Sequence, residues 1–279
     1  MEHLVATNPR QAATPITVRL DTHAGSADAV PALTVLLLNG LRVWQGAHEV
    51  KDLPQGRLAS LFKLLLLRRN QPVSRARLCA LYWPDVDSGV ARNRLNVALH
   101  RLRRVLGVTA QLEFRDACYR LVVHGSISVD VEQFEQLAEQ GALEEGRIRL
   151  DSALEAYEAA AQLYQTDLVH ENGADAALSA HAQALRDRLN QVLMRAAALR
   201  EASGDWHACL RTTLRCLALD DCNEAAHRLL MRCYSRLDQP LEVQQQYRRC
   251  IGALREQLGL APSEETTALY RKLAGRAGS

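Results

Sequence analysis

The sequence predicts an α+β domain with a winged helix-turn-helix fold, followed by an all-α domain of paired helices like those of tetratricopeptide (TPR) repeats. Three observations predict this fold class. Short β-prone segments, three helical segments and a β-hairpin follow one another before residue 125. After residue 130 the chain has helical periodicity throughout, with turns near the 34-residue TPR spacing. The net charge also changes sign between these two parts.

Composition and periodicity divide the chain into three regions. Residues 1–30 are rich in Ala, Thr, Asp and Gly without periodicity, so we expect them to be disordered. Residues 31–125 are expected to form the winged-helix domain, and residues 126–279 the TPR-like domain. With 48% hydrophobic residues, the chain can build a core in both of these domains.

The winged-helix region begins with a small antiparallel sheet. Its β-prone segments are 33–38, 41–44 and 48–50. Asn39-Gly40 separates the first two segments, and Asn-Gly between apolar runs is a strong hairpin signal.

Three helices and a hairpin follow this sheet. The helices are predicted at 56–69, 75–82 and 88–106. Ser74 suits the N-cap of the second helix, Asp87 or Ser88 that of the third, and Gly107 suits the position after its end. Segments 112–115 and 119–123 are predicted to form the wing, and because the turn between them has no glycine its type stays open.

The TPR-like region contains seven helical segments that pair into helix–turn–helix units. Because such pairs cannot bury their apolar faces alone, we expect them to stack into one solenoid-like domain. The predicted helices are 131–140, 145–163, 175–204, 206–218, 223–237, 241–258 and 263–273.

The third helix carries the clearest functional pattern. One face is apolar at three- and four-residue spacing, and the opposite face is polar and basic. A helix buried on one side and carrying amide, imidazole and guanidinium groups on the other suits the DNA major groove. The expected buried residues are Leu95, Ala98, Leu99, Leu102, Val105 and Leu106, and the candidates for base contacts are Asn93, Asn96, Val97, His100, Arg101 and Arg104.

Charge is distributed in agreement with this pattern. Residues 31–125 hold 15 basic and 6 acidic residues, for a net charge of +9, whereas residues 126–279 have a net charge of −6. Only three of the 34 basic residues are Lys, so the arginine content also reflects a bias that both domains share. The asymmetry predicts that the first domain binds nucleic acid and the second does not.

Several other classes of function find no support in the sequence. The seven cysteines form no Cys-x-x-Cys pair, and the chain has no phosphate-binding glycine loop and no nucleophile motif. We therefore expect no catalytic residue, no cofactor and no metal. The longest apolar runs are far too short to span a bilayer, so we expect no membrane partner and a cytoplasmic, nucleoid-associated protein.

The order of elements and several motifs closely resemble the SARP family of bacterial antibiotic-pathway activators. The resemblance extends over residues 33–273, and its most specific motifs are Leu-Tyr-Trp-Pro-Asp at 81–85 and LHRLRRVLG at 99–107. It implies an OmpR-type winged helix joined to a bacterial transcriptional activator domain. It also implies binding to direct repeats in promoters, side by side and as a homodimer on tandem repeats, and recruitment of RNA polymerase for a secondary-metabolite gene cluster.

Further site residues follow from the predicted helices and from this resemblance. Asp85 and Asp87 lie before the third helix, where OmpR-type domains contact polymerase, and we expect them to meet a basic surface of the sigma subunit. Helix N-capping is the equal alternative for both acids. Arginines on the helices and the wing are expected to contact the DNA backbone, namely Arg75, Arg77, Arg92, Arg94, Arg103, Arg115 and Arg120.

The sequence therefore predicts a sequence-specific transcriptional activator that binds double-stranded promoter DNA. The alternative is a TPR-type protein-interaction scaffold whose winged helix binds protein. The net charge of +9 on the first domain favours the activator, because a scaffold does not require it.

Overall fold

The computed structural model describes residues 33–168 and 176–276, and the expectation for residues 1–30 lies outside this part of the chain. The first half of the described chain forms two small sheets and three helices. In chain order these elements are β1 (Leu33–Leu36), β2 (Arg42–Gln45), β3 (His48–Glu49), α1 (Gly56–Leu67), β4 (Val73–Ser74), α2 (Arg75–Tyr82), α3 (Ser88–Leu106), β5 (Ala110–Arg115), β6 (Cys118–Val123) and β7 (Ile127–Val129).

The seven strands form two sheets. The first sheet has the strand order β3-β2-β1-β7, with β7 parallel to β1 and the other pairs antiparallel. The second sheet has the order β4-β6-β5, and β5 and β6 form the predicted wing. Strands β4 and β7 were not predicted, because segments of two and three residues are too short to show alternation. The winged helix-turn-helix fold is confirmed.

Seven helices follow and pack as neighbours along the chain. Each of the first six packs on the next, and the last packs on the two before it. This pairwise stacking is the TPR-like arrangement that the sequence predicts. The helices are α4 (Asp130–Gly146), α5 (Leu150–Leu163), α6 (Ala176–Ala202), α7 (Trp206–Leu219), α8 (Glu224–Arg236), α9 (Pro240–Leu258) and α10 (Glu264–Arg276).

The first helix of this array extends further than predicted. Helix α4 continues to Gly146, whereas the prediction ended it at residue 140 and began the next helix at residue 145. Gly141 explains the close packing of α4 on α5, because a Cβ atom there would lie 2.5 Å from the ring of Tyr157. Glycine usually weakens a helix, but here it allows two helices to approach each other.

A buried carboxylate joins the two parts of the chain. Asp130 is 2% exposed, and its carboxylate oxygens accept hydrogen bonds from the amides of Leu37 and Leu38 at 2.7–2.8 Å. The carbonyl of Leu38 in turn accepts from the amides of Gln165 and Thr166. The predicted antiparallel hairpin of β1 and β2 forms, but at residues 37 and 38 these bonds take the place of strand pairing. Strand β1 therefore ends at Leu36, two residues before the predicted end at residue 38.

Helix α1 is buried on two sides because it lies between the two parts. Its contacts include α3 and β6 in the winged helix and α6 in the helical array. Lys63 is only 7% exposed, and its ammonium group donates to the carbonyl of Leu168 at 2.6 Å. Arg69, two residues after α1, pairs with Glu132 on α4. Burial accordingly extends around the helix, since Leu64 and Leu66 are buried as well as Leu61 and Leu65.

The Asp130 carboxyl predicts a pH-dependent stability. Burial raises its pKa from 3.8 to about 6, against the lowering effect of the amide hydrogen bonds. Because the pKa is higher in the folded state, the carboxyl stabilises the fold at low pH and loses this contribution as the pH rises through about 6. Relative to Asp130→Asn, the wild type should lose roughly 2 kcal/mol of unfolding free energy between about pH 4.5 and about pH 7.5.

Urea denaturation of both proteins across this pH range measures the difference. The exposed Asp151→Asn on α5 is the matched control and should follow the wild-type curve. Parallel curves for wild type and Asp130→Asn would contradict the role of Asp130.

Candidate nucleic-acid interface

Helix α3 presents the predicted polar face to solvent. Its buried residues are Ala91, Leu95, Ala98, Leu99, Leu102 and Leu106, so the predicted apolar stripe is confirmed except that Val105 is only half-buried. The six residues predicted to contact bases are all exposed on the other side of the helix, with Val97 56% exposed. These six are Asn93, Asn96, Val97, His100, Arg101 and Arg104.

The exposed face of α3 is positively charged and has no internal counter-charge. The helix contains five arginines and no acidic residue. Within residues 33–168 and 176–276, none of these arginines forms an ion pair with a carboxylate. A cluster of unpaired guanidinium groups attracts an anionic surface. The five are Arg92, Arg94, Arg101, Arg103 and Arg104.

The end of α3 is fixed to the first sheet. The side-chain amide of Gln45 on β2 donates to the carbonyl of Val105 at 2.7 Å. Gly107 ends the helix with φ 56°, and a Cβ atom there would lie 3.2–3.3 Å from the Gln45 amide. The hydroxyl of Thr109 donates to the carbonyl of Leu106. This role of Gln45 was not predicted, because its partner lies 60 residues further along the chain and such a contact leaves no local sequence pattern.

Helix α2 begins beside the wing. The hydroxyl of Ser74 accepts from the amide of Arg77, as the predicted N-cap requires. The amide of Arg75 donates to the carbonyl of Ala117 at 2.8 Å, and its guanidinium lies 5.4 Å from the ring centroid of Phe114. Main-chain and cation–π contacts therefore both hold Arg75 against the wing.

The wing exposes an aromatic side chain that the sequence analysis did not single out. Phe114 is 48% exposed, although strand alternation puts it on the same side as the buried Leu112. The hairpin extends beyond the core at this point, and Phe114 packs on Tyr119, at 4.6 Å between ring centroids, and against the guanidinium of Arg75. The hydroxyl of Tyr119 also lies 3.5 Å from Oδ1 of Asn96, which links the wing to α3.

Two wing arginines predicted to contact the DNA backbone have acidic neighbours. Arg120 pairs with Glu113 on the adjacent strand at 2.9 Å, and Arg115 lies 3.7 Å from Asp116. Since all four side chains are substantially exposed, solvent weakens these pairs.

Arg92 and Arg103 of α3, both expected to contact the DNA backbone, are exposed. Arg103 donates to the carbonyl of Leu112 in β5 at 3.4 Å, and Arg92 lies near the start of the helix. The structure therefore ties Arg103 to the wing by an intramolecular contact.

The acidic loop before α3 is open to solvent. Asp85 and Asp87 are exposed, and neither forms an ion pair within the described residues. Asp87 occupies the N-cap position of α3, but its side chain makes no cap hydrogen bond.

The turn of the wing has an unusual backbone. Asp116 and Ala117 both have positive φ, at 50° and 58°. A two-residue turn with this feature is of type I′, whose preferred sequence is Asn-Gly. This answers the question of turn type that the missing glycine left open.

The described residues offer little for metal binding. Asp220, Asp221 and Cys222 have donor atoms within 4.8 Å of one another, but both carboxylates are exposed and Asp221 accepts hydrogen bonds from Gln257. We assign no metal to this loop. Among the described helices, none is both long enough and apolar enough to cross a membrane.

A winged helix with an exposed basic third helix, joined to a TPR-like array, defines a two-part transcriptional regulator. The model of the bacterial transcriptional activator domain matches residues 129–274, from the end of β7 to α10. The chain therefore belongs to this family, and its architecture is that of a SARP-type transcriptional activator. No curated protein sequence matches it.

Solved structures share the fold. Mycobacterium tuberculosis EmbR, in complex with a low-affinity phosphopeptide, is similar over 88% of this chain, with a TM-score of 0.73 and 20% identity. This chain covers 66% of the EmbR chain, just under two thirds of its length.

Two TPR structures match more weakly. The C-terminal TPR-containing domain of the Plasmodium falciparum putative FK506-binding protein PFL2275c has a TM-score of 0.38 and 14% identity, over 53% of this chain and 91% of that one. The first TPR of Spaghetti (RPAP3), bound to the HSP90 peptide SRMEEVD, has a TM-score of 0.37 and 15% identity, over 54% of this chain and 100% of that one. At these scores the two structures carry no further argument.

The wing turn predicts a stabilising glycine substitution. Ala117→Gly should raise the free energy of unfolding by roughly 0.5–1 kcal/mol, because glycine adopts positive φ without the strain on a Cβ atom. Urea denaturation measures the change. Ala198→Gly, at an exposed position in the interior of helix α6, should instead lower the free energy by about 1 kcal/mol. A loss of stability in both variants would argue against the left-handed conformation at Ala117.

Proposed function

We propose that the winged helix binds double-stranded promoter DNA in a sequence-specific manner, with α3 in the major groove. The exposed face of α3, whose five arginines have no carboxylate partner within the part of the chain that the structure describes, carries this proposal. The opposite face is buried and the helix end is tied to β2 through Gln45, so the side chains project from a rigid support. A protein-binding scaffold would not require such an unpaired positive surface.

Two sets of residues would contact DNA, one at the base edges and the other at the phosphates. Amides and guanidinium groups on the exposed face of α3 would read base edges, and Val97 would contact a thymine methyl group. Arginines around this face would bind phosphates and fix the register of the domain. The base-reading set is Asn93, Asn96, Val97, His100, Arg101 and Arg104, and the phosphate set is Arg75, Arg77, Arg92, Arg94, Arg103, Arg115 and Arg120.

Activation would follow from contact with RNA polymerase. Asp85 and Asp87 are solvent-exposed beside a positively charged helix, where carboxylates disfavour phosphate and favour a basic protein surface. We assign this surface to the sigma subunit. Membership in the activator family supports a recruiting role at direct repeats, with two copies side by side. A secondary-metabolite gene cluster is the proposed target, with the protein acting at the nucleoid in the cytoplasm.

The DNA proposal predicts a steep dependence of binding on salt. Each phosphate contact releases counterions, so the logarithm of the binding constant falls linearly with the logarithm of salt concentration. Arg104→Ala should reduce the slope by about one unit if Arg104 contacts a phosphate, whereas a base contact should cost roughly 1–3 kcal/mol on the cognate site. Fluorescence anisotropy with duplex DNA from the promoter next to the gene measures both quantities.

The matched control is Arg211→Ala, at an exposed position on α7. It should bind DNA as the wild type does. An affinity of the wild type that does not change between low and moderate salt would refute the DNA interface.

The acidic loop predicts a separation of binding from activation. Asp85→Asn combined with Asp87→Asn should keep DNA affinity at or slightly above the wild-type value, because negative charge near phosphate is removed. In vitro transcription with purified polymerase should decrease. Asp151→Asn combined with Asp220→Asn is a control of equal charge change at exposed positions on the helical array. Full transcription by the loop variant would exclude the polymerase contact.

A further inference from the structure

Exposed apolar side chains gather at the two ends of the helical array. Of twelve exposed large hydrophobic residues in the described chain, four lie on the winged helix and one on α7. The other seven lie in or beside α9 and around the α4–α5 turn. Soluble monomers rarely group exposed apolar residues in this way unless the surface binds a partner. The seven are Leu241, Ile251, Leu258 and Leu260 at one end and Leu143, Ile148 and Leu150 at the other.

The outer side of α9 carries a regular stripe. Its residues alternate at spacings of three and four, which is the pattern of a helix that packs on another helix. All six residues of the stripe are exposed. A leucine lies at each end, and an isoleucine lies between the two arginines. We call this stripe the α9 face, and it consists of Leu241, Gln244, Arg248, Ile251, Arg255 and Leu258.

The outer side of α4 carries a complementary stripe. Its exposed residues follow the same spacing of three and four. The stripe has a single leucine, with polar and acidic residues before it and a glycine after it. Leu143 is 55% exposed, and Glu139 precedes it by one turn. We call this stripe, together with the adjacent Glu135, the α4 face, and it consists of Glu135, Gln136, Glu139, Leu143 and Gly146.

These two faces cannot meet within one chain. Helix α4 packs on α5, β1 and β7, whereas α9 packs on α8 and α10, and four helices lie between them in the array. One face offers arginines with apolar anchors, and the other offers carboxylates with an apolar anchor. Such complementary charge sets register and partner choice at an interface.

We propose that the α9 face of one copy binds the α4 face of a second copy, through Arg248 and Arg255 against Glu135 and Glu139. Ile251 lies between the two arginines and Leu143 one turn beyond Glu139, so exposed apolar side chains border the charged pairs on both faces. The contact supplies a surface for the pairing of copies in the proposed function and does not itself require DNA. Because the two faces differ, the contact is heterologous, and a third copy can add to the free end.

Sedimentation velocity of the full chain without DNA tests the self-association. From low to high micromolar protein at low salt, the weight-average sedimentation coefficient should rise and continue past the dimer value. Added salt should weaken the association, because the arginine–carboxylate pairs are exposed to solvent.

Charge-reversal variants identify the faces. Arg248→Glu with Arg255→Glu should raise the dissociation constant roughly tenfold or more, and so should Glu135→Lys with Glu139→Lys. An equimolar mixture of the two variants should associate again, because the intact faces of each find a matching surface on the other. Arg211→Glu with Arg271→Glu, exposed and outside both faces, should behave as the wild type does.

Three outcomes would overturn the proposal. A wild-type chain that stays monomeric at high micromolar concentration has no such contact. An effect of the arginine variant without an effect of the glutamate variant would indicate a symmetric contact between two α9 faces. Charge-reversal variants that retain the thermal midpoint but associate as the wild type does would place self-association elsewhere. Failure of DNA binding in the anisotropy experiment would leave all three measurements unaffected.

Discussion

The carboxylate of Asp130 is the constraint on which the two-part structure depends. It is the first residue of α4, yet its oxygens bind the amides that follow β1, over 90 residues earlier in the chain. A buried carboxylate is costly unless donors surround it, and the amides of Leu37 and Leu38 offset part of that cost. The same bonds end β1 and leave the Leu38 carbonyl free for the segment after α5. One side chain thereby joins the first sheet to the helical array.

This junction gives the exposed face of α3 a fixed relation to the helical array. Helix α1 packs on α3 from one side and on α6 from the other, and Lys63 and Arg69 bind groups of the second part. In addition, β7 extends the first sheet directly into α4. No flexible linker separates β7 from α4. A protein that binds the helical array therefore also fixes the orientation of the winged helix.

Local patterns were sufficient for most of the fold and for the outline of the site. Periodicity located ten helices, and the exposed face of α3 follows from the same three- and four-residue spacing. Contacts between distant residues left no such pattern. Gln45 at the end of α3, Phe114 beneath Arg75 and Asp130 at β1 are each polar or aromatic residues whose partners lie far along the chain. Very short strands such as β4 are likewise stabilised by their partners and not by their own sequence.

The parallel pairing of β1 with β7 also has a consequence for synthesis on the ribosome. Strand β1 emerges first, but the edge that β7 occupies stays open until residues 127–129 have been made. The carbonyl of Leu38 acquires its hydrogen-bond donors later still, after Gln165 and Thr166 have been synthesised. At bacterial rates of about 20 residues per second, the time from the synthesis of β1 to that of Thr166 is several seconds. During it the nascent winged helix has an exposed strand edge, so its final structure is acquired only after α5 has left the ribosome.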